Sequence, residues 1–449
     1  MSSLFNLPTS DSIPDPSSAT DRITLEEVAP RLSSLDGAVT IELTSSPSRW
    51  YSPSDSYLLI GCDVFSTLHT PASGVGVDAV AESFAWQAPP FSDTATAGVV
   101  FAKGAGAAFF STVSLQVNGV LMGTISNPAQ IGGVLSLTEI TNDYATTVGS
   151  SELLQTDAVQ RARNTFGVTD SNDANRSAFE VAYRPPLGFL RTMKAFPGAR
   201  ITMTLNIAPE YGSRVLTDID NAGTLTVQGK DVAAPTAATD HKVKLTSIKY
   251  YAAMMTPLNN PSIPSQVLVP MYEIASSAHQ LSAGLTASQL QTISFNVPAS
   301  TFKIGIGVQV ADAGTGIITA SKDMARFHFP KVQHLSVNYA GYQGGSGAYT
   351  SARNSPERPY TDFCQSTLAA QQGRAASVDM VAWSKAPLCL FRFAKPANDV
   401  SSNATVRISF TETLAEGVNI FCFAYYQSTA AISYDNSGMV TGAEYAYAS

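Results

Sequence analysis

Apolar and polar positions alternate at both ends of residues 300–342, around a turn and a polar connection, and much of the chain repeats that pattern. Within this stretch, Ile304, Ile306, Val308 and Val310 fall on one face, and Lys303, Gly305, Gly307 and Gln309 fall on the other. A period of two is typical of a half-buried β-strand and differs from the spacing of an amphipathic helix. The sequence therefore predicts a strand here that buries its Ile/Val face.

The same alternation predicts strands along both halves of the chain. In the first half they are 38–44, 57–65, 109–121, 178–183, 187–193, 201–207 and 241–255. In the second half they are 271–274, 290–297, 302–310, 332–339, 387–393, 405–411 and 418–426. Asn118-Gly119 is the residue pair that a type I′ turn prefers, so 109–121 is predicted to be a β-hairpin.

Helical signals are few and fall between the strands. Residues 150–166 are the best candidate, because Ser150 or Ser151 is a favourable N-cap and Glu152 and Gln155 suit the first turns. Shorter helices are predicted at 25–32 and 362–372. Loops are predicted around Pro47, Trp50 and Pro53, and at 69–97, 208–240 and 341–349.

Prolines interrupt the middle of the chain. Residues 256–270 contain Pro257, Pro261, Pro264 and Pro270, which disfavour a long helix or a central strand. With 449 residues available for two domains, we place the boundary there. The predicted units are a flexible N-terminal segment (1–34), a first jelly-roll domain (35–255), a Pro-rich linker (256–270) and a second jelly-roll domain (271–449).

The predicted fold class is all-β, with two jelly-roll β-sandwich domains in tandem and short helices in the connecting loops. Each half has roughly eight short strands, and eight strands folded as two sheets limit the number of exposed edges. Similar segments late in each half, 186–191 with 201–204 and 387–392 with 406–410, favour a duplicated plan. A pair of immunoglobulin-like domains is the alternative, but the expected Cys…Trp…Cys arrangement is missing.

Charged residues make up only 14% of the chain, against roughly 25% in typical soluble domains. Such a surface suits a protein that is covered in an assembly, although adhesins and fibres share this feature. The net charge of −8, without a Lys/Arg-rich arm, argues against direct nucleic-acid binding.

The lack of a recognisable targeting signal and the wide cysteine spacing favour a protein made inside a cell. Residues 1–20 lack the basic start and apolar centre of a signal peptide. No run approaches the ~20 apolar residues of a membrane span. The four widely spaced cysteines are expected to be free thiols: Cys62, Cys364, Cys389 and Cys422.

No motif has the specificity of a catalytic, cofactor or metal site. The run 345–347 lacks the spacing of a hydrolase nucleophile elbow. Asp218-x-Asp220 begins like a calcium loop, but Ala222 and Gly229 occupy positions that need oxygen ligands. The histidines show no zinc-ligand spacing: His69, His241, His279, His328 and His334. We therefore predict no catalytic, cofactor-binding or metal-binding residues, no cofactor and no enzymatic activity.

Two other function classes stay open. A carbohydrate-binding β-sandwich adhesin or fibre protein would use Trp50, Trp86 or Trp383 as a stacking platform. A β-sandwich glycoside hydrolase needs two carboxylates that face each other across a cleft, for which Glu42 and Asp63 lie on predicted strands. An adhesin is expected to have a secretion signal or a fibrous repeat, and neither is found.

Several segments, in order along the chain, resemble the double jelly-roll major capsid proteins of Polinton-like viruses, virophages and their relatives. In the second half these segments are 298–308, 311–314, 327–332, 335–338, 388–393, 406–410 and 417–420. In the first half they are 114–119 and 241–249. Each motif is short, and their order carries the resemblance, which covers most of residues 36–440.

The resemblance implies a viral major capsid protein of a double-stranded DNA virus. Its homotrimers would have a pseudo-hexameric outline, with two jelly rolls from each chain, and would tile an icosahedral shell. The implied partners are other copies of the chain, neighbouring capsomers and a separate single jelly-roll penton protein, while a separate ATPase would package the genome. The implied location is the virion capsid, assembled inside the host cell, and the presence of an internal membrane is left open.

Overall fold

The computed structural model describes residues 22–32, 37–67, 86–87, 99–155, 178–209, 211–218, 226–227, 230–231, 241–257, 263–298, 300–311, 313, 324–327, 331–344, 357–367, 378–385, 387–393 and 402–447. These residues form mainly antiparallel β-sheets, with short helices between the strands. No helix in these ranges has both the length and the hydropathy needed to cross a bilayer.

The strands of the first half are β1 (Arg22–Val28), β2 (Arg31–Leu32), β3 (Ala38–Thr44), β4 (Trp50–Thr67), β5 (Trp86–Gln87), β6 (Val99–Phe101), β7 (Phe110–Val117), β8 (Val120–Ser126), β9 (Ala178–Tyr183), β10 (Arg200–Ile207), β11 (Leu216–Asp218), β12 (Thr226–Val227), β13 (Lys230–Asp231) and β14 (His241–Thr256). Its helices are α1 (Ala105–Ala108), α2 (Pro128–Thr138), α3 (Asn142–Thr146) and α4 (Tyr211–Arg214). Two 3-10 turns lie at Val148–Ser150 and Phe189–Arg191.

The strands of the second half are β15 (Gln266–Leu281), β16 (Gln291–Val297), β17 (Thr301–Val310), β18 (Val332–Tyr339), β19 (Tyr342–Gly344), β20 (Leu388–Arg392), β21 (Ser402–Phe410), β22 (Val418–Tyr434) and β23 (Val440–Tyr447). Its helices are α5 (Glu357–Ser366) and α6 (Met380–Lys385), which both lie between β19 and β20.

The principal strands form two sandwiches with the same topology. In the first, β1-β14-β4-β9 is the main sheet and β3-β10-β7-β8 is the second sheet. In the second, β15-β22-β17-β20 is the main sheet and β16-β21-β18-β19 is the second sheet. Both sandwiches therefore follow the order first-eighth-third-sixth and second-seventh-fourth-fifth, and each is an eight-stranded jelly roll.

Strand alternation builds the core of each sandwich. In β3, Val39, Ile41 and Leu43 are buried, and β10 buries its own alternate residues opposite them. The second sandwich has a separate core that includes the Ile/Val face of β17. The core of the first sandwich continues into residues of β15, β22 and β23, so the contact between the two sandwiches is itself apolar and buried.

The predicted hairpin is confirmed. Strands β7 and β8 pair directly, and Asn118 and Gly119 between them have φ values of 50° and 84°. Positive φ at both central residues is the requirement of a type I′ turn.

The predicted strand at 187–193 is wrong, because this segment contains the 3-10 turn Phe189–Arg191. Pro185 and Pro186 come after β9 and Arg184, and they have no backbone N–H to donate to a sheet. The similar segment at 387–392 does form a strand, β20, which corresponds to β9 in the topology. Only the second part of the sequence repeat, β10 with β21, therefore joins equivalent strands.

The three helix predictions also differ from the structure. Residues 25–32 are not helical: β1 pairs along its length with β14, so a tertiary partner outweighs the local preference of Leu25-Glu26-Glu27. Residues 150–155 form turns, and the remainder of the predicted helix 150–166 lies outside the described residues. The helix predicted at 362–372 begins earlier, at Glu357.

Two prolines lie within strands at tolerant positions. Strand β4 starts at Trp50, in a predicted loop, and its pairing with β14 is irregular where Pro53 occurs. Pro270 lies in β15, which pairs with β22 and forms the edge of its sheet. Bulges and edge strands are the places where a sheet tolerates proline.

Candidate functional site at the junction of the two sandwiches

The free edge of β15 is covered by the end of β8 and the start of α2. The Ser276 hydroxyl donates a hydrogen bond of 2.7 Å to the carbonyl oxygen of Ser126. Asn127, with φ of 56°, turns the chain into α2 and donates from Nδ2 to the Ser276 hydroxyl over 3.3 Å. An edge that would otherwise offer unpaired backbone groups is thus closed by the other sandwich.

Helix α2 then packs across the outer face of the second main sheet. Gln130 Nε2 lies 3.5 Å from Gln309 Oε1 of β17, and the hydroxyls of Thr138 and Tyr425 are 3.4 Å apart. Nearly all of the α2 residues are buried, which explains why the helix lacks a polar stripe. The helix belongs to the first sandwich by sequence and to the interface by packing.

A charged cluster lies at the end of α2, in which Lys303 and the Glu139 side chain are buried and the Arg191 side chain is 31% exposed. The Arg191 guanidinium pairs with the Glu139 carboxylate and lies over the Tyr272 ring, with 5.7 Å between Cζ and the ring centroid. The Lys303 ammonium lies 3.9 Å from the Tyr425 ring centroid and donates to the carbonyl oxygen of Ser366 at 3.3 Å.

Burial acts on both cations of this cluster. It lowers the pKa of Lys303 to about 8, although the Glu139 carboxylate acts in the opposite direction. Burial also opposes the charge on Arg191, but the adjacent Glu139 carboxylate outweighs it and raises the pKa of Arg191. The cluster therefore couples both sandwiches through one carboxylate.

A second buried carboxylate, Glu273, lies on the opposite side of β15. It accepts hydrogen bonds from the hydroxyls of Tyr426 at 2.5 Å and Tyr445 at 3.2 Å. A Cβ atom at Gly188 would lie 2.8 Å from Glu273 Cγ, and one at Gly123 would lie 3.2 Å from Glu273 Oε1. A side chain at Gly188 would therefore collide with Glu273, and one at Gly123 would crowd its carboxylate. Burial raises the pKa of this carboxyl group.

The β22–β23 hairpin fastens the other end of the junction. The amide of Val440 donates to the carbonyl oxygen of Gly198 at 3.2 Å, and Asn118 Nδ2 donates to the carbonyl oxygen of Val440 at 2.9 Å. The hairpin turn is held by Asp435 Oδ1, which accepts from the amides of Ser437 and Met439. The second main sheet thus extends beyond its own sandwich and is bonded to the first.

The structure does not bring together Glu42 and Asp63, the two carboxylates considered for a glycosidase site. Glu42 lies on the outer side of β3, within 3.6 Å of Arg200, while Asp63 lies on β4 of the opposite sheet. Since their strand neighbours Ile41 and Cys62 are buried, the two carboxylates point away from the core on opposite faces. This pair does not form an opposed glycosidase site.

The remaining candidate residues are the tryptophans, the histidines and the cysteines. Trp50 and Trp383 are buried at 1% and 0% exposure, so neither offers a platform for sugar stacking. All four cysteines are free thiols. No group of three or more His, Cys, Asp or Glu residues in the described ranges is arranged to hold a metal. The side chains of Trp86 and His241, and the predicted features at His69, 219–225, His328 and 345–347, lie outside the described residues.

Sequence reasoning missed the junction residues. Glu273 is the only charged residue within the stretch 267–275 of β15, and Lys303 stands on the face of β17 that was predicted to be exposed but is buried. A charged residue inside such a strand was an available signal, because burial requires a specific partner. The arrangement offers packing and hydrogen bonding, and its described groups support a structural role.

Comparison with known proteins adds a fold assignment. No protein-family profile matches the sequence, and no curated protein matches it. The cryo-EM structure of the Sputnik virophage matches with a TM-score of 0.61 at 12% identity, over 95% of this chain and 89% of the matched chain. The mavirus major capsid protein matches with a TM-score of 0.55 at 12% identity, over 98% and 92% of the two chains.

A third structure extends the same likeness. The Faustovirus major capsid protein matches with a TM-score of 0.55 at 10% identity, over 95% of this chain and 92% of the other. The chain therefore has a double jelly-roll fold along nearly its whole length, and the fold class predicted from the sequence is confirmed.

Proposed function

We propose that this protein is a viral major capsid protein, whose homotrimers form pseudo-hexameric capsomers of an icosahedral shell. The observation that carries the proposal is the duplicated eight-stranded topology within one chain, fixed by a buried junction. Two equivalent sandwiches side by side supply two of the positions of a hexagonal ring, so three chains would complete it. The fold matches solved capsid proteins over most of the length of both chains.

The junction gives this proposal a mechanism. A capsomer that tiles a shell needs side surfaces with a fixed relative orientation. Two domains joined by a flexible hinge would not keep that orientation. Here β15 and β22 run together for sixteen residue pairs and extend from the second sandwich onto the first. The apolar contact and its buried hydrogen bonds hold the two sandwiches in one arrangement.

The other two function classes have less support. The adhesin alternative requires exposed tryptophans as a stacking platform, but Trp50 and Trp383 are core residues. The hydrolase alternative requires two carboxylates that face each other, but Glu42 and Asp63 lie on different sheets and point away from each other. The low proportion of charged residues, 14%, suits a surface that is covered by other subunits.

The proposed role in a shell also specifies the partners and the location of the chain. The partners would be other copies of the chain, neighbouring capsomers and a separate protein at the fivefold positions. The chain would be located in the virion capsid, after assembly inside the host cell. The division into two domains joined by a Pro-rich linker remains part of this proposal, with β1 counted in the first domain and β15, which begins at Gln266, in the second.

Electron microscopy of the purified full-length chain tests the proposal. Class averages with a hexagonal outline and threefold symmetry are expected. Particles the size of one chain, with no ring-like class at any protein concentration, would contradict it. Incubation with glycan arrays and glycoside substrates is the parallel control, and no binding or turnover is expected.

A further inference from the structure

Only one asparagine in the sequence is followed by glycine, and this pair, Asn118-Gly119, forms the turn between β7 and β8. Asn118 has φ of 50° and Gly119 has φ of 84°, and Gly119 is exposed. Glycine has no Cβ atom, so no side chain hinders the approach of other groups to its backbone nitrogen. The side-chain amide of Asn118 therefore has a reaction partner in the next residue of its own chain.

The reaction open to this pair is deamidation through a cyclic imide. The Gly119 backbone nitrogen adds to Cγ of Asn118, a new N–Cγ bond forms, and Nδ2 leaves with the displaced proton as ammonia. Water then opens either carbonyl–nitrogen bond of the imide. One opening gives aspartate, and the other gives isoaspartate, in which the main chain runs through Cγ. Water is the co-reactant, and no oxidant or reductant is consumed.

The side-chain amide of Asn118 is held at both ends. Oδ1 accepts a hydrogen bond of 2.8 Å from the Arg200 amide of β10, and Nδ2 donates one of 2.9 Å to the Val440 carbonyl oxygen of β23. The backbone amide of Asn118 also donates to the Arg200 carbonyl oxygen over 2.8 Å. Cγ must turn toward the Gly119 nitrogen for the ring to close, and that rotation breaks the two side-chain bonds. The closed junction therefore opposes the reaction.

The bond to Val440 depends on the docking of the β22–β23 hairpin. Arg200 lies on β10, which pairs with β7 in the same sheet, whereas Val440 belongs to the other sandwich. The hairpin approaches closely, because a Cβ atom at Gly198 would collide with the carbonyl oxygen of Gly438. Separation of the hairpin would remove the restraint on Nδ2 and leave the β7–β8 turn in place.

We propose that Asn118 is a site of spontaneous deamidation, and that the docked β22–β23 hairpin protects it. The residue stays an amide while the hairpin is docked and converts when the hairpin separates. The product opposes re-docking, because a carboxylate offers only acceptor oxygens and the Val440 carbonyl oxygen is also an acceptor. Separation of the two sandwiches at this end thus becomes irreversible. The inference concerns a single chain and does not depend on the proposed capsid function.

Peptide mapping by mass spectrometry tests the site in the full-length chain. Native protein and protein denatured in guanidinium chloride are incubated side by side in isotopically labelled water, which marks the oxygen gained on conversion. Conversion at Asn118 is expected to be at least about tenfold slower in the native protein, because it requires local opening of the junction. Equal rates in the two samples would overturn the proposal.

A looser hairpin turn supplies a second readout. Asp435→Ala removes the carboxylate that accepts from the amides of Ser437 and Met439. Under native conditions this variant is expected to convert at Asn118 about tenfold faster than the native protein, which corresponds to ~1.4 kcal/mol of easier opening. Asp435→Asn keeps an acceptor and is the matched control, with a rate close to that of the native protein. A rate unchanged by Asp435→Ala would overturn the role of the hairpin.

Two substitutions at position 118 separate the charge of the product from the loss of a hydrogen bond. Aspartate and glycine both accept positive φ at this turn position, so Asn118→Asp and Asn118→Gly are expected to fold. Hydrogen exchange at the Val440 amide, which donates to the Gly198 carbonyl oxygen, should be faster in Asn118→Gly than in the native protein. It should be faster still in Asn118→Asp, where two acceptors face each other. Exchange in Asn118→Asp that is no faster than in Asn118→Gly would show that the product does not oppose docking.

Discussion

The ammonium group of Lys303 lies 3.9 Å from the centroid of the Tyr425 ring, under the helices that cover the second main sheet. It is almost completely buried and donates to the carbonyl oxygen of Ser366 at 3.3 Å. A lysine in this position costs desolvation free energy, which the ring face and the carbonyl offset in part. The junction therefore combines apolar packing with buried charges whose protonation affects stability.

Lys303→Met is expected to remove a pH dependence from unfolding. Burial lowers the pKa of Lys303 from 10.5 to about 8, so between these values the unfolded chain holds a proton that the folded protein has lost. Stability of the native protein should then rise with pH, by at most about 1.4 kcal/mol per pH unit for one group. Denaturant unfolding at pH 7 to 10 measures this, with the exposed Lys244→Met as control. Parallel curves for the native protein and Lys303→Met would contradict the account.

Glu273→Gln is expected to act with the opposite sign. Burial raises the pKa of Glu273 above 4.5, so the folded protein retains a proton that the unfolded chain loses first. The native protein should therefore lose stability relative to Glu273→Gln as the pH rises from 4.5. Glutamine keeps an oxygen that accepts from Tyr426 and Tyr445. Unfolding free energies from pH 4.5 to 7 provide the test, and Glu180→Gln, on an exposed residue of β9, should show no such trend.

Two adjacent glycines of α2 allow a matched test of the junction. A Cβ atom at Gly133 would collide with the backbone carbonyl of Ala325 in the second sandwich, whereas one at Gly132 would lie 3.6 Å from the nearest atom, Ala107 Cβ. Gly133→Ala should destabilise the protein by about 1–3 kcal/mol because the backbone must move. Gly132→Ala should stabilise it by up to ~1 kcal/mol through helix propensity. Equal effects in chemical denaturation would show that α2 does not pack as described.

The turn between β22 and β23 depends on one carboxylate oxygen. Asp435 Oδ1 accepts from the Ser437 hydroxyl at 2.6 Å and from the Met439 amide at 2.9 Å, and these bonds lower the pKa of Asp435. Asp435→Ala should accelerate hydrogen exchange at the amide of Met439, while Asp435→Asn, which keeps an acceptor, should change it little. In the native protein the same protection should be lost as the pH falls through the lowered pKa, below 3.8. Exchange that is insensitive to both changes would count against this turn.

Strand alternation was sufficient to predict most of the sandwich strands, because each has one face in a core. It failed where another part of the chain covers the other face. Gly305 and Gly307 were assigned to an exposed face of β17, yet a Cβ at Gly307 would collide with the Phe327 ring. Glycine in a strand is a signal of such close approach, and the strand is buried on both faces.

Helix α2 escaped prediction for the same reason. It lies between two bodies and is apolar nearly all round, so the amphipathic period that marks a surface helix is absent. The available signal was Pro128 at the first helical position, after Asn127. The junction itself depends on contacts between residues far apart in the sequence, such as Arg191 with Tyr272 and Thr138 with Tyr425, which no local pattern contains.

The mass of the purified full-length chain in solution, from light scattering after size exclusion, tests the central claim most directly. The account predicts a particle of three times 47.3 kDa that persists on dilution through the micromolar range. A single species of 47.3 kDa at all concentrations would contradict the claim that this double jelly roll forms the trimeric building block of a shell.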